Sequence, residues 1–478
     1  MRGLLIALAL LATASALATS SKHIAQPSLT NKLHRKLQRA HAAMVEDADD
    51  DDGAAIFRPY TPGEESSIDV PDASKRLFTI ILAVPTLALL LGILTYNPTN
   101  DELAQEQERK AEQLRRLRGG STTPANFGRW LLDAALASPV YKLLLVPQAK
   151  ATMVKTAEDN GVPWRKALAW VREQGPWDLS PDEEAQRLSV PEYYKQPFHA
   201  YEEGNLCWDA ALEGEIASRA VGARNFPAYG ADGELAFRGA FEEALQDIGA
   251  KVPDGGLVVD LGCGTGISTR RIAARFPKAS SILGIDASPH FLQVGRRLNQ
   301  LGMKDRHAWE WVNGVDEGGY TDTRVELRHG LAEDTKLADA SVDVVNLGLV
   351  IHELPPSATM DIANEIYRIL KPDGQLWITE MDFQTPAFSK LRSNPMLFSL
   401  IRSTEPYLDV YADYQPNLAN DLAKLGYGPV TLAAATGRHF ALVATKGAAG
   451  RGGPVDDRRA ETAKADTHLK TWESKNKE

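Results

Sequence analysis

Leu257-Val258-Val259-Asp260-Leu261-Gly262-Cys263-Gly264-Thr265-Gly266 decides the fold of this 478-residue chain. An apolar strand ends in an acid and runs straight into a Gly-x-Gly-x-Gly turn. A helix is predicted directly after it, over 269–276. Glycine lets the backbone take positive φ and come close to a ligand. Dinucleotide-binding folds use a glycine turn too, but their G-x-G-x-x-G pattern fails here, because its last position is Ile267. The next strand, 282–286, ends in Asp286, about 20 residues past the glycines, where a carboxylate can take both hydroxyls of a ribose. Asp286 also reads as a helix cap, yet Ser288 before Pro289 suits that role better, ahead of a helix predicted over 291–299.

The alternation continues outward. A third strand, 325–329, leads into Gly330-Leu331-Ala332-Glu333-Asp334, and a fourth, 342–348, leads into Leu349-Val350-Ile351-His352-Glu353-Leu354-Pro355. A helix over 360–370 ends at Lys371-Pro372-Asp373-Gly374. A fifth strand, 375–379, runs into Glu380-Met381-Asp382. Segments 431–435 and 440–445 read as a closing antiparallel pair. Strand–helix alternation of this kind implies an α/β, doubly wound, Rossmann-like sheet, expected here with seven strands. Its ligands lie beyond the carboxyl ends of the strands.

The motifs VVDLGCGTG, GIDAS, AED, VVNLGLVIHELPP and ILKPDGQLWITE stand in this order within residues 251–446. Together they resemble a class I S-adenosylmethionine-dependent methyltransferase, of the ubiquinone/menaquinone-biosynthesis type. The preceding stretch, from Pro197-Phe198-His199-Ala200-Tyr201-Glu202-Glu203-Gly204-Asn205 onward, resembles plastid methyltransferases of plants and algae. The first resemblance implies S-adenosylmethionine as cofactor. It places Gly262, Gly264 and Gly266 under the methionine part, with Asp260 near its amino group. Asp286 takes the ribose, Ala287 packs on the adenine, and Ala332 offers it a backbone N–H. Many relatives carry an Asp just before that alanine. Here Leu331 stands there, so Glu333 or Asp334 is the expected substitute. Leu347 and Gly348 are expected along the cofactor.

A sulfonium methyl is already activated, so orientation supplies most of the rate, and a base helps only when the acceptor carries a titratable proton. His352 is the best-placed candidate base, or it fixes the loop before Pro355-Pro356. Glu380, Asp382, His199 and Tyr201 are its rivals. His199, Tyr201 and Asn205 are candidate substrate contacts, in a cluster that reads equally as a packed joint between segments. Segment 383–426 is unusually apolar and aromatic. It reads either as a cap over a small lipophilic acceptor, such as a prenylquinone or pigment, or as an ordinary packed helical hairpin. A non-catalytic membrane assembly factor on the same fold is the alternative function.

The rest of the chain reads as address and anchor. Residues 1–19 have the layout of a signal peptide, and 20–45 are basic and free of acids, as transit segments are. The pair resembles the bipartite plastid leaders of algae; an endomembrane or secretory destination is the alternative. Segment 46–76 opens with the acidic run EDADDDD and reads as a linker. Residues 77–96 carry no charge and are long enough for one transmembrane helix. A charged spacer helix (97–124), a helical N-terminal segment (125–250) and a disordered tail (447–478) complete the expected organisation. A net charge of −10 argues against nucleic-acid binding. The two cysteines, Cys207 and Cys263, lack metal-ligand spacing, so no metal site is expected. The oligomeric state is left open.

Overall fold

The computed structural model describes residues 146–462 apart from 179–187, 200, 202, 302–321, 394–397, 399–400, 402–403 and 448–451. The expected signal, transit segment, linker, transmembrane helix and spacer all lie outside the described residues. Among the described residues, no helix is long and apolar enough to cross a membrane.

The lead-in supplies α1 (Val146–Asp159), α2 (Trp164–Glu173), a 3-10 turn at Glu192–Lys195, α3 (Trp208–Asn225) and α4 (Gly233–Asp247). The sheet domain follows as β1 (Leu257–Leu261), α5 (Ile267–Arg275), β2 (Ser281–Asp286), α6 (Pro289–Gln300), β3 (Val325–His329), β4 (Val342–Gly348), α7 (Pro356–Ile369) and β5 (Leu370–Met381). Then come α8 (Pro386–Ser393), α9 (Leu408–Tyr414), α10 (Leu418–Leu425), β6 (Tyr427–Thr436), β7 (His439–Lys446), β8 (Val455–Asp457) and α11 (Arg459–Thr462).

The strands lie in the order β3-β2-β1-β4-β5-β7-β6-β8. β1 to β5 run parallel, and β7 is antiparallel to both β5 and β6. The expected count of seven strands is corrected to eight among the described residues. Val455 pairs with Val430 beside β6, inside the tail read as disordered. Apolar Val455 on a free strand edge outweighs the glycines that made the tail look unstructured.

Strand side chains alternate between faces. Val258 packs with α4 and α5 on one face, while Val259 and Leu261 pack with α7 and α10 on the other. Burial on both faces explains why the parallel strands read as continuous apolar runs. Two boundaries shift. α7 starts at Pro356 rather than 360, since proline fits the first helical position. Lys371-Pro372-Asp373-Gly374, read as a break, is a bulge inside β5, where the register with β4 jumps between Val342 and Val344 and Lys371 pairs with Asp343 at 2.8 Å.

Among the described residues of segment 383–426, Phe383, Leu408 and Tyr411 are buried in the core shared with α7, and Phe383 stacks on Phe388 with ring centroids 4.6 Å apart.

Candidate active site

The carboxyl ends of β1 and β2 form one half of the site. Gly262, Gly264 and Gly266 sit at φ of 68°, 54° and 82°, so the loop needs all three left-handed. The Gly262 N–H donates to the Ile285 carbonyl at 2.8 Å, which ties the turn to β2. A methyl placed on Gly262 would stand 2.6 Å from Val350 Cγ2, whereas one placed on Gly264 meets nothing within 4 Å. The loop is therefore packed from behind at Gly262 and open at Gly264.

Asp286 closes over this opening. Its Oδ2 accepts the Gly264 N–H at 2.8 Å, and its Oδ1 accepts the Ser288 N–H at 2.8 Å and the Tyr194 hydroxyl at 3.4 Å. An ionised carboxylate has about four lone-pair sites, so one is left for a ligand hydroxyl. Burial pushes the Asp286 carboxyl up, against the two backbone N–H bonds that favour its ionised form. Burial and the Asp286 charge together keep the Tyr194 phenol well above its ordinary value. Ser288 caps α6 by accepting the Phe291 N–H, so the helix-cap role belongs to it.

Asp260, at the end of β1, is tied to its neighbours. It is 1% exposed, and Ser268 Oγ, Thr269 Oγ1 and Asn346 Nδ2 all donate to it, at 2.7, 2.6 and 2.7 Å. Its carboxylate ties β1 to α5 and β4. Leu347 is likewise core, while Gly348 is half-buried at the tip of β4.

At the next strand end, the Ala287 carbonyl contacts His329 Nε2 at 3.0 Å. Leu331 and Asp334 form a small bridge that presents Ala332 and Glu333. Asp334 is exposed and pairs with Lys336. Glu333 Oε1 is buried with no hydrogen-bond partner among the described residues, and burial pushes its carboxyl up. A buried acceptor lacking a donor fits an amino-bearing ring. Of the two expected substitutes, Glu333 is the one with a buried, unpartnered oxygen.

The second half of the site lies at β4 and β5. The 3-10 turn Ile351–Glu353 carries His352 inward, and its Nδ1 is 2.9 Å from both oxygens of Glu380, which is 0% exposed. Glu380 also accepts the backbone N–H groups of His352 and Met381, at 3.2 and 2.7 Å. Burial pulls the imidazole pKa down, but the Glu380 charge and hydrogen bond win and raise it to about 9. His352 Nε2 lies 4.0 Å from Glu353 Oε1. Burial pushes the Glu353 carboxyl up to about 7, opposed by His352 and His199. Asn205 Nδ2 donates to Glu353 at 3.1 Å, and Ser288 Oγ donates to the Asn205 carbonyl at 2.6 Å. His199 lies 3.7 Å from Glu405.

His352, His199 and Asn205 thus converge, and Glu380 belongs with them. Tyr201 does not. Its hydroxyl bonds Glu213 on α3, and Lys150 lies over its ring, so it faces the lead-in helices. Asp382 is held by Gln415 and Arg459. Glu353 and Tyr194 were missed from sequence. Glu353 stood beside His352 in plain view, whereas nothing near Tyr194 pointed to Asp286, 92 positions away.

Residues 259–378 match the family model described as a methyltransferase domain. Over 125 residues the chain is 31% identical to a demethylmenaquinone methyltransferase of Bacillus velezensis, covering 26% of this chain and 45% of that protein. Over 148 residues it is 30% identical to an arsenite methyltransferase of Aquipseudomonas alcaligenes, covering 30% of this chain and 38% of that one. The chain spans half or less of the length of such curated relatives. A solved methyltransferase from Aquifex aeolicus is 19% identical, with a TM-score of 0.30, over 43% of this chain and 88% of that one. The similarity to methyltransferases thus falls on the sheet domain, within residues 259–378.

Proposed function

We propose that the chain transfers a methyl group from S-adenosylmethionine to a small acceptor held beside His352, Glu353 and Asn205. The observation that carries this reading is the open Gly264 turn, clasped by an Asp286 carboxylate with a lone pair to spare. When bound, the cofactor supplies a sulfonium methyl that needs no further activation. The chain then has to orient the acceptor, exclude water and manage one proton.

The expected role of His352 as base changes. With a pKa of about 9 it is an imidazolium at neutral pH, already carrying the proton a base would take. Its Nε2–H suits an anionic or polarised acceptor oxygen. Glu353, near 7, is poised to accept a proton at neutral pH. Asn205 holds that carboxylate in place from the lead-in.

We further propose a lipophilic acceptor and attachment to a plastid membrane. The apolar, aromatic segment 383–426 supports the lipophilic acceptor, the uncharged run at 77–96 the attachment, and the composition of 1–45 the plastid. Calorimetry with S-adenosylmethionine and S-adenosylhomocysteine tests the core of the reading, and absence of binding overturns it. Incubating algal membrane lipid extracts with methyl-labelled cofactor tests the acceptor. Label confined to water-soluble products overturns the lipophilic assignment, and binding without any label transfer leaves the assembly-factor alternative.

A further inference from the structure

We propose that Glu215, on the lead-in helix α3, is a positioning residue for the cofactor loop, so that the lead-in helps to build the cofactor site. The inference rests on the cofactor reading above. Glu215 lies outside the matched segment 259–378 and is 1% exposed. Its Oε2 accepts the hydroxyl of Thr265, between Gly264 and Gly266, at 3.0 Å. Its Oε1 accepts Arg270 Nη2 at 2.7 Å and Arg219 Nη2 at 3.1 Å. Arg270 Nη1 in turn donates to the Thr265 carbonyl at 2.9 Å. One buried carboxylate therefore grips the loop residue directly and, through Arg270, by its backbone.

The arrangement has the features of a fixed clasp. Burial pushes the Glu215 carboxyl up, but its two guanidinium neighbours win and hold it below the usual carboxylate range, so it is charged. The glycines on either side of Thr265 leave that loop without stiffness of its own. Gly264 must present its N–H to Asp286, so an error in Thr265 is passed on to the ribose carboxylate one residue away. The lead-in repeats the pattern at two further strand ends. Tyr194 reaches Asp286 at the end of β2, and Asn205 reaches Glu353 after β4. Three loops from three strands are thus joined by one segment that precedes the sheet. The residue gripped, Thr265, directly follows Gly264, the loop glycine whose open side meets no protein atom within 4 Å.

The test is the affinity of the full-length chain for S-adenosylhomocysteine by calorimetry, with hydrogen exchange at the Gly264 and Gly266 amides as a second readout. Glu215→Gln is expected to weaken binding about tenfold, the order of loss when a charge-assisted hydrogen-bond set is broken, and to speed exchange at both amides. Glu242→Gln serves as the control. It cuts the Arg271 ion pair on the outer side of the same α5 helix and is expected to leave both readouts unchanged. A folded Glu215→Gln protein with wild-type affinity and exchange overturns the proposal. If that variant does not fold, Thr265→Val cuts the same link from the loop side. About tenfold weaker binding, as for one hydrogen bond to a charged group, supports the proposal, and wild-type affinity overturns it. A wild-type chain that does not bind S-adenosylhomocysteine defeats the cofactor reading itself, which is a different result from any of these.

Discussion

The two halves of the site are built on opposite plans. At β1 and β2 the ligand-facing groups come from a short stretch, Gly262 to Ser288, and most are backbone. At β4 and β5 they are side chains gathered from distant segments: His199 and Asn205 from the lead-in, His352 and Glu353 after β4, Glu380 from β5, and Glu405 before α9. The first half suits a ligand of fixed shape, which backbone groups can meet without side-chain freedom. The second concentrates titratable groups, whose protonation can be matched to an acceptor. The two strand-end aspartates differ in their partners: Asp260 is bonded by three side chains, whereas Asp286 is bonded by two backbone N–H groups and one phenol.

The sharpest test of this division is Asp286→Ala. It removes two backbone hydrogen bonds at once, each worth about 1.5–3 kcal/mol to a charged partner. Calorimetry should show cofactor affinity falling on the order of 100-fold. Turnover of an acceptor, by contrast, should collapse with Glu353→Gln while affinity for the cofactor stays put. If affinity falls too, the two halves are not separate.

Gly264→Ala comes next. Its new methyl meets no protein atom but sits at φ 54°, so the fold should lose about 1–2 kcal/mol by denaturant titration. Cofactor affinity should drop about tenfold, ~1.4 kcal/mol, because the methyl fills the approach. A variant that binds normally places the ligand elsewhere.

Glu380→Gln probes the other half. With burial less opposed, the His352 pKa should fall from about 9 toward or below the ordinary imidazole value, read from its ring resonances by NMR. The sign for stability follows. His352 gains affinity for its proton on folding, so its contribution is complete below the unfolded value of about 6.5. It is lost as pH rises through about 9. The wild-type Tm should decline across that window by about 2–4 °C per kcal/mol lost, and the variant should decline less. A pH-independent difference removes the imidazolium from the mechanism. The smallest effect belongs to Tyr194→Phe. At 3.4 Å its hydroxyl makes a long bond of ~0.5 kcal/mol, so cofactor affinity should change about twofold.

The contrast also decides what could be read in advance. Strands β3 and β4 were placed to the residue, and β1 and β2 followed from local pattern, because glycine turns and strand periodicity are short-range signals. Glu333 was one of two possibilities, and its orphaned Oε1 and the exposed, Lys336-paired state of Asp334 tell the two apart. The charge state of His352 was illegible, since the carboxylate that sets it lies 28 positions on, across a strand pairing. Tyr201 looked like a contact because it stood among aromatic and amide residues. Its turn toward Glu213 depends on where α3 packs, which no local pattern records.

The short strand Val455–Asp457 reaches beyond the sheet's count. Beside it, β6 offers a line of backbone donors and acceptors, and Val455 to Asp457 take up Val430 to Leu432. Arg459, just past it, bonds Asp382 at the tip of β5 and so latches the border shut. A chain trimmed at residue 446, where the motif pattern stops, would bare that border as a template for another molecule's strand. Clumping of such a trimmed protein would report an uncapped margin and would say nothing against the catalytic domain itself.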